Sequence, residues 1–255
     1  MKKIHTVILA LIIMVCASHM NAQENAKTKY MVWEVQLTPL QLENAQKAIA
    51  AENTFYKENN HPYMNATQYT NDGYLWYSVP FTEFGDLDEM QKMMIKLYEE
   101  NPERTKEIQK LFDVSYSKVG RMILESQPEL SVAGEQMTST PMGSKFRFFE
   151  KFYIKPGMWD KFQELTKTYV DLRREHGITS AFYTFYPVFG ADMNVVYFID
   201  ETGNSPSEHY KLNEEQWAEF GEEGKKLWQE VLPIVQKIET HLGQIDFDLM
   251  YIPEN

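Results

Sequence analysis

A single cysteine, Cys16, stands in the 255 residues, inside an N-terminal apolar run. With no second one the chain cannot close an internal disulfide or assemble a multi-thiolate zinc or iron–sulfur site. Histidines number six, and no two stand at i and i+4, so the helical two-histidine zinc motif is missing. Walker and Rossmann glycine loops are missing too, as is the G-x-S-x-G nucleophile elbow. Basic residues are in short supply, with 25 Lys and Arg against 37 Asp and Glu. Such a surface repels phosphate backbones and anionic headgroups, which argues against nucleic acid and membrane surfaces as partners. No apolar run reaches the roughly 20 residues that a membrane-spanning helix needs.

The N-terminal run, residues 7–15, follows Lys2 and Lys3 and precedes the small or polar Ala17, Ser18, Asn21 and Ala22. This is the layout of a secretory signal peptide over residues 1–22, cleaved after Ala22 or, alternatively, after Ala17. Cys16 follows the bulky Val15, whereas a lipidated cysteine follows a small residue, so a lipoprotein is not expected. Subtracting Lys2 and Lys3 leaves 23 basic against 37 acidic residues, a net −14. The expected product is exported, periplasmic or secreted, and free of cysteine nucleophiles.

What the chain does have is aromatic residues, at 14%, and an internal period. An apolar strand pattern at residues 30–37 is followed by Thr38-Pro39 and a helical pattern to about Asn59. A second, at 146–154, is followed by Lys155-Pro156 and a helical pattern to about His176. Adding 117 carries Pro39 onto Pro156, Leu42 onto Trp159, Ala45 onto Phe162 and Phe55 onto Leu172. Each helix precedes a β-hairpin pattern: 65–70 with 73–79, and 179–189 with 193–200. A further helical region then opens in each copy, at Asp86-Leu87-Asp88-Glu89 and at Asn213-Glu214-Glu215-Gln216, both shaped like capping boxes. In copy one another helix starts at Asn101-Pro102 and runs to about Val119. In copy two the helix carries Trp217, Phe220, Leu227, Val231 and Ile238, is expected to kink at Pro233, and stops at Gly243. Closing strands are expected at 121–125 and 245–252.

The order is βαββαβ, twice, and right-handed crossovers make each unit a four-stranded antiparallel sheet with helices on one face, the ferredoxin-like arrangement. The expected fold class is therefore α+β: two tandem ferredoxin-like repeats, residues 30–125 and 145–253, joined by a linker at 126–144. One face of each sheet is left bare, and the other sheet is its natural cover. The two sheets then pack as an intrachain α+β barrel, a pseudo-dimer able to exist as a monomer. In element order, duplication and aromatic-rich strands, residues 30–253 resemble the dimeric α+β-barrel superfamily, which includes the antibiotic-biosynthesis monooxygenase-like and NIPSNAP-like families. That resemblance implies roles ranging from cofactor-free oxygenases and haem enzymes to binding proteins. Haem-degrading members use an Asn on the first strand together with a Trp and a His. Neither first strand here contains an Asn. No cofactor is predicted; for haem, the only axial-ligand candidates beyond the leader are His61, His176, His209 and His241.

Alternation along the first strands points Met31, Trp33, Val35 and Leu37 toward the helices, and Val32, Glu34 and Gln36 toward the opposite sheet. In copy two the corresponding sets are Phe148, Glu150, Phe152 and Ile154, and Phe149, Lys151 and Tyr153. Glu34 and Lys151 thus hold equivalent positions with opposite charge, as an ion pair joining the halves or a polar anchor in a ligand cavity. Glu150 interrupts an apolar face beneath a helix stripe that includes Tyr169 and His176. Those three are the candidate catalytic set, a desolvated carboxylate near an imidazole acting as general base. Glu52, aligned with Tyr169, is a weaker candidate. Trp33, Glu34, Trp76, Lys151, Tyr183 and Tyr197 are the candidate ligand-binding set, the aromatics among them serving equally as core. No metal site is predicted. Three roles follow: an exported small-molecule-binding barrel, a cofactor-independent oxygenase or other small-molecule enzyme, and an envelope interaction module using the acidic surface and the Met90, Met93, Met94 helix.

Overall fold

The computed structural model describes residues 27–133 and 145–254; the expected leader with Cys16, and residues 134–144 of the expected linker, lie outside the described residues. The first half runs β1 (Lys29–Leu37), α1 (Leu42–Glu58), β2 (Ala66–Thr70), β3 (Tyr74–Phe81), α2 (Phe84–Glu100), α3 (Pro102–Asp113) and β4 (Tyr116–Ser126). The second runs β5 (Phe146–Ile154), α4 (Trp159–Glu175), β6 (Phe182–Phe189), β7 (Val195–Asp200), α5 (Pro206–Val231) and β8 (Val235–Ile245). The eight strands close into one antiparallel barrel in the order β1-β3-β2-β8-β5-β7-β6-β4, with β4 returning to β1. Advancing every strand by four positions in the chain reproduces that circular order. The halves meet at two seams, β2 with β8 and β4 with β6. Every strand has two neighbours, although the seams are short: β4 meets β6 only at residues 123–126 and β8 meets β2 only at 243–245.

Local chemistry explains the elements. On α1 the buried Ala45, Ala48, Ile49, Phe55 and Tyr56 recur at helical spacing, Ala45 and Ile49 packing with Leu75 of β3, and Phe55 and Tyr56 with Leu97 of α2 and Ile108 of α3. Pro102 opens α3 at the first helical position, where a missing N–H costs nothing. The Ser205 hydroxyl accepts the Glu208 N–H and caps α5. Phe152, Ile154, Val196 and Phe198 on the outer face of the second sheet pack with Phe162, Leu165 and Val170 of α4 and Phe220 and Leu227 of α5. Inward-facing Val32, Trp76, Met122, Leu124, Phe149, Val195 and Tyr197 fill the barrel, so the alternation of β1 and β5 lies as the sequence has it. Gly243 is required where β8 passes Phe149: a Cβ there would strike the Tyr69 carbonyl and lie 2.8 Å from the Phe149 ring.

Several boundaries differ from the sequence expectation. Asp86 is not the cap but the third residue of α2, its carboxylate accepting the N–H groups of Thr82 and Glu83. The helix before β4 ends at Asp113, and β4 is longer than residues 121–125. Asn213 lies inside α5, which begins at Pro206, and its irregular point is Gly221 (φ 55°, ψ −128°) rather than Pro233. Pro233 instead sits in a 3-10 turn that ends the helix, and the next residues are β8, not more helix. Ile234, Ile238 and Leu242 are spaced by four, a step that keeps residues on one face of a helix and of a strand alike. Residues 246–252 form no strand; a 3-10 turn at Phe247–Leu249 leads to Tyr251, whose backbone bridges Asn65 and whose hydroxyl donates to the His61 carbonyl at 2.6 Å. The Leu249 carbonyl accepts from Asn53 at 2.9 Å. The end of the second half is thereby laced onto the first.

Candidate binding site in the barrel mouth

The barrel is plugged at mid-height by Phe149, fully buried, with its ring 4.5 Å edge-on to Trp76. Toward the end where β1 carries Glu34 and β5 carries Lys151, the packing opens into a cavity of about 240 Å³. Its walls include Glu34, Lys151, Tyr153, Tyr197 and the β6–β7 turn at Gly190, Ala191 and Asp192. Lys151 Nζ donates to Glu34 Oε2 at 2.7 Å, and the Trp76 indole N–H donates to the same oxygen at 2.9 Å. The ammonium also stands 5.5 Å from the Trp76 ring, 5.6 Å from Tyr197 and 6.0 Å from Tyr74. With the Lys151 side chain 10% exposed and that of Glu34 29% exposed, the pair is half inside the protein and half in the cavity. Tyr153 donates to Glu239 Oε2 at 3.1 Å, and Glu239 also pairs with Lys237. Burial first, then the charge of Glu239, pushes the Tyr153 phenol up to about 12. Tyr197 is raised by burial and then by Glu34, and its hydroxyl has no hydrogen-bond partner among the described residues.

No protein-family model matches the chain, and no curated protein matches its sequence. Solved structures do. An anthrone oxidase-like protein superposes with a TM-score of 0.57 at 13% identity, over 88% of this chain and 92% of that one. A candidate monooxygenase from Fusobacterium nucleatum gives 0.56 at 10% identity, over 86% and 93%. The chlorite dismutase of Candidatus Nitrospira defluvii, in complex with imidazole, gives 0.51 at 10% identity, over 87% and 92%. At such identities the likeness speaks for the fold. The fold is that of the dimeric α+β barrels. In this α+β barrel a single chain supplies all eight strands.

The sequence candidates are spread over the α+β barrel. Glu34, Lys151 and Tyr197 line the mouth, and Trp76 stands beside them as donor to Glu34. Tyr183 pairs with Ile199, beyond Phe149 and away from the cavity. Trp33 is on the outer face, against Tyr77 at 5.5 Å and under the Arg121 guanidinium at 5.2 Å. Glu150, Tyr169 and His176 belong to the helix–sheet layer of the second half. Tyr169 accepts from Arg173 at 3.1 Å and from Gln216 at 2.9 Å. His176 is exposed at the end of α4, its ring 5.3 Å from Phe220. Glu150 makes no hydrogen bond or ion pair among the described residues, so none joins it to Tyr169 or His176. Burial, and second the charge of Asp200, raises its carboxyl to about 8. Glu52, in the first half's layer, is raised to about 7 by burial, offset by hydrogen bonds from Tyr56 and Tyr77.

Two arrangements escaped sequence reasoning. Arg173 is fully buried in α4, bonded to Tyr169, to Asp200 Oδ2 at 3.1 Å, and to the Ser180 carbonyl and hydroxyl at 2.8 and 2.7 Å. His241 faces the lumen opposite Phe149 and holds Asp72 Oδ2 at 2.7 Å through Nδ1, while its buried Nε2 has no partner among the described residues. Burial raises Asp72, but hydrogen bonds from Thr70 and His241 outweigh it, and the net shift is downward.

Proposed function

We propose that this chain binds a small organic molecule in the barrel mouth, after export and removal of its leader, as a single-chain product of a duplicated βαββαβ unit. The observation that carries this role is the cavity of about 240 Å³ built around a half-buried ion pair. A pair of charges placed in a barrel core costs desolvation that apolar residues would avoid, and here it faces open space rather than sealed packing. The superposing oxidase-like and monooxygenase structures fit a small-molecule role, and the circular strand order, unchanged by a four-strand shift, supports duplication. Haem does not fit the donors: of His61, His176, His209 and His241, none lines the cavity. His209 is buried with its ring stacked 4.3 Å from Phe148, and His61 is stacked 4.4 Å from Tyr56.

Ala191→Trp is the direct test, because an indole added to the cavity wall fills it. Native mass spectrometry of the exported protein, with and without a fragment library, should find a small molecule on the parent chain. Its affinity for the variant should be at least about tenfold weaker, a difference of about 1.4 kcal/mol. Equal binding to both, or no binder for the parent, would remove the mouth as a binding site.

A second role, as an enzyme, is favoured by the Asp72–His241 pair. An imidazole whose Nδ1–H is held by a carboxylate presents Nε2 as a proton acceptor, the arrangement of a general base, and because this Nε2 is buried outside the cavity the role requires the lumen to open to substrate. Nitrogen-15 NMR at pH 7.5 should then show His241 as the Nδ1–H tautomer, with the preference lost in Asp72→Asn. A parent His241 carrying its proton on Nε2 would rule the base out.

A further inference from the structure

The mouth is not neutral in what it offers a ligand. Both hydrogen bonds to Glu34 end on Oε2, which leaves Oε1 of this cavity-lining residue as an acceptor without a partner among the described residues. Asp192, an exposed residue of the β6–β7 turn, also lines the cavity. The Tyr197 hydroxyl has no hydrogen-bond partner among the described residues, although the residue is only 8% exposed and forms part of the wall. Behind Tyr153 lies a third carboxylate, Glu239. The cations nearby are already committed, Lys151 to Glu34 and Lys237 to Glu239. Arg121 turns its guanidinium away, over Trp33 on the outer face. The surplus of acceptors over free donors therefore calls for a donor. The same wall also demonstrates its liking for an ammonium, since Lys151 is held there by a carboxylate and three aromatic rings.

We infer that the cavity selects a small aromatic or aliphatic amine, its cationic nitrogen between Glu34 Oε1 and Asp192 and its apolar body against the Tyr153 and Tyr197 rings. This rests on the small-molecule role proposed above and narrows it to a charge class. The volume sets the size. Taking about 30 Å³ for one water's share of liquid, the cavity of about 240 Å³ holds the equivalent of roughly eight waters, room for a single small molecule. A carboxylate of the same size would meet Glu34, Asp192 and Glu239 with only the already paired Lys151 and Lys237 to answer it.

Three probes with one ring and different tails separate the outcomes: tyramine, tyrosol and 4-hydroxyphenylacetate, titrated calorimetrically into the mature protein at low salt. Tyramine should bind roughly ten- to hundredfold tighter than the other two, the worth of one charge-assisted hydrogen bond. Asp192→Asn, an exposed change that spares the fold, should bring tyramine down toward tyrosol, and Glu34→Gln should do the same if it folds. Tyrosol binding as tightly as tyramine, or an Asp192→Asn variant with unchanged preference, would overturn the amine assignment. So would tighter binding of 4-hydroxyphenylacetate, which would make Lys151 the anchor. In each of those outcomes the cavity still binds, and the small-molecule role stands. Binding of none of the three by a parent chain that does bind other fragments would likewise overturn the assignment, whereas no binding of any fragment would overturn both.

Discussion

Replacing Arg173 by alanine is expected to lower the free energy of unfolding by about 3–5 kcal/mol, the range for stranding one partner of a buried ion pair. The Arg173 side chain has no exposed surface and that of Asp200 has 7%, so water cannot reach in to replace the guanidinium. Once it is gone, the Asp200 carboxylate keeps the Thr202 N–H at 2.7 Å but loses its only salt-bridge partner among the described residues. The Ser180 carbonyl and hydroxyl and the Tyr169 hydroxyl lose donors in the same step. Urea unfolding followed by far-UV circular dichroism would read the loss as a lower midpoint at unchanged slope. Arg173→Met combined with Asp200→Leu should recover much of it, because the penalty belongs to the charge left behind rather than to the absent bond. A loss below about 1 kcal/mol for the single variant would place the pair in the class of solvated surface bridges and defeat the expectation.

That same arginine marks the limit of what the chain's pattern discloses. The barrel lumen was legible because period-two alternation in strands rich in aromatic and β-branched residues assigns each side chain a face, and the offset of 117 brought Glu34 and Lys151 into register. Their 2.7 Å contact needs only that the two sheets face each other. Arg173 gives no such signal. It aligns with Tyr56 under the offset and precedes the exposed Arg174 in the last turn of α4, where a basic residue ordinarily answers the helix dipole. Its burial depends on Asp200, 27 residues further on at the end of β7. The strand β8 was hidden by its own lumen face, where Lys237, Glu239, His241 and Gly243 replace the apolar half of the alternation. The Asp72–His241 contact spans 169 residues and appears only once β8 is laid beside β2. Hairpin turns and lumen rims carry polar residues whose partners are fixed by closure of the barrel, which no local window contains.

Glu150 leads to the second large effect, on the pH dependence of stability. Its carboxyl would ionise near 4.5 in the unfolded chain and ionises near 8 in the fold, raised by burial and then by Asp200. Between those values the folded chain holds a proton that the unfolded chain has released. Stability contributed by the neutral acid is therefore full below pH 4.5 and is lost as pH rises through 8, at about 1.4 kcal/mol per pH unit. Glu52 adds a term of the same sign over a narrower window, ending near 7. Glu150→Gln keeps the shape and removes the titration, so the variant should lose less stability than the parent between pH 5 and 8, with a difference of several kcal/mol at pH 8 as the upper bound. Urea midpoints at pH 5, 6.5 and 8 would decide it. Parallel curves for parent and variant would mean that Glu150 is ionised and hydrated in the fold, its burial relieved by water entering the helix–sheet layer. Diverging curves would establish a protonated acid at neutral pH, and such a group donates a hydrogen bond instead of accepting one. The layer above β5 then has a neutral donor in Glu150 beside a closed Arg173–Asp200 pair. The ion pair that lines the cavity is the one at the barrel mouth, which again directs ligand chemistry to Glu34 and Lys151.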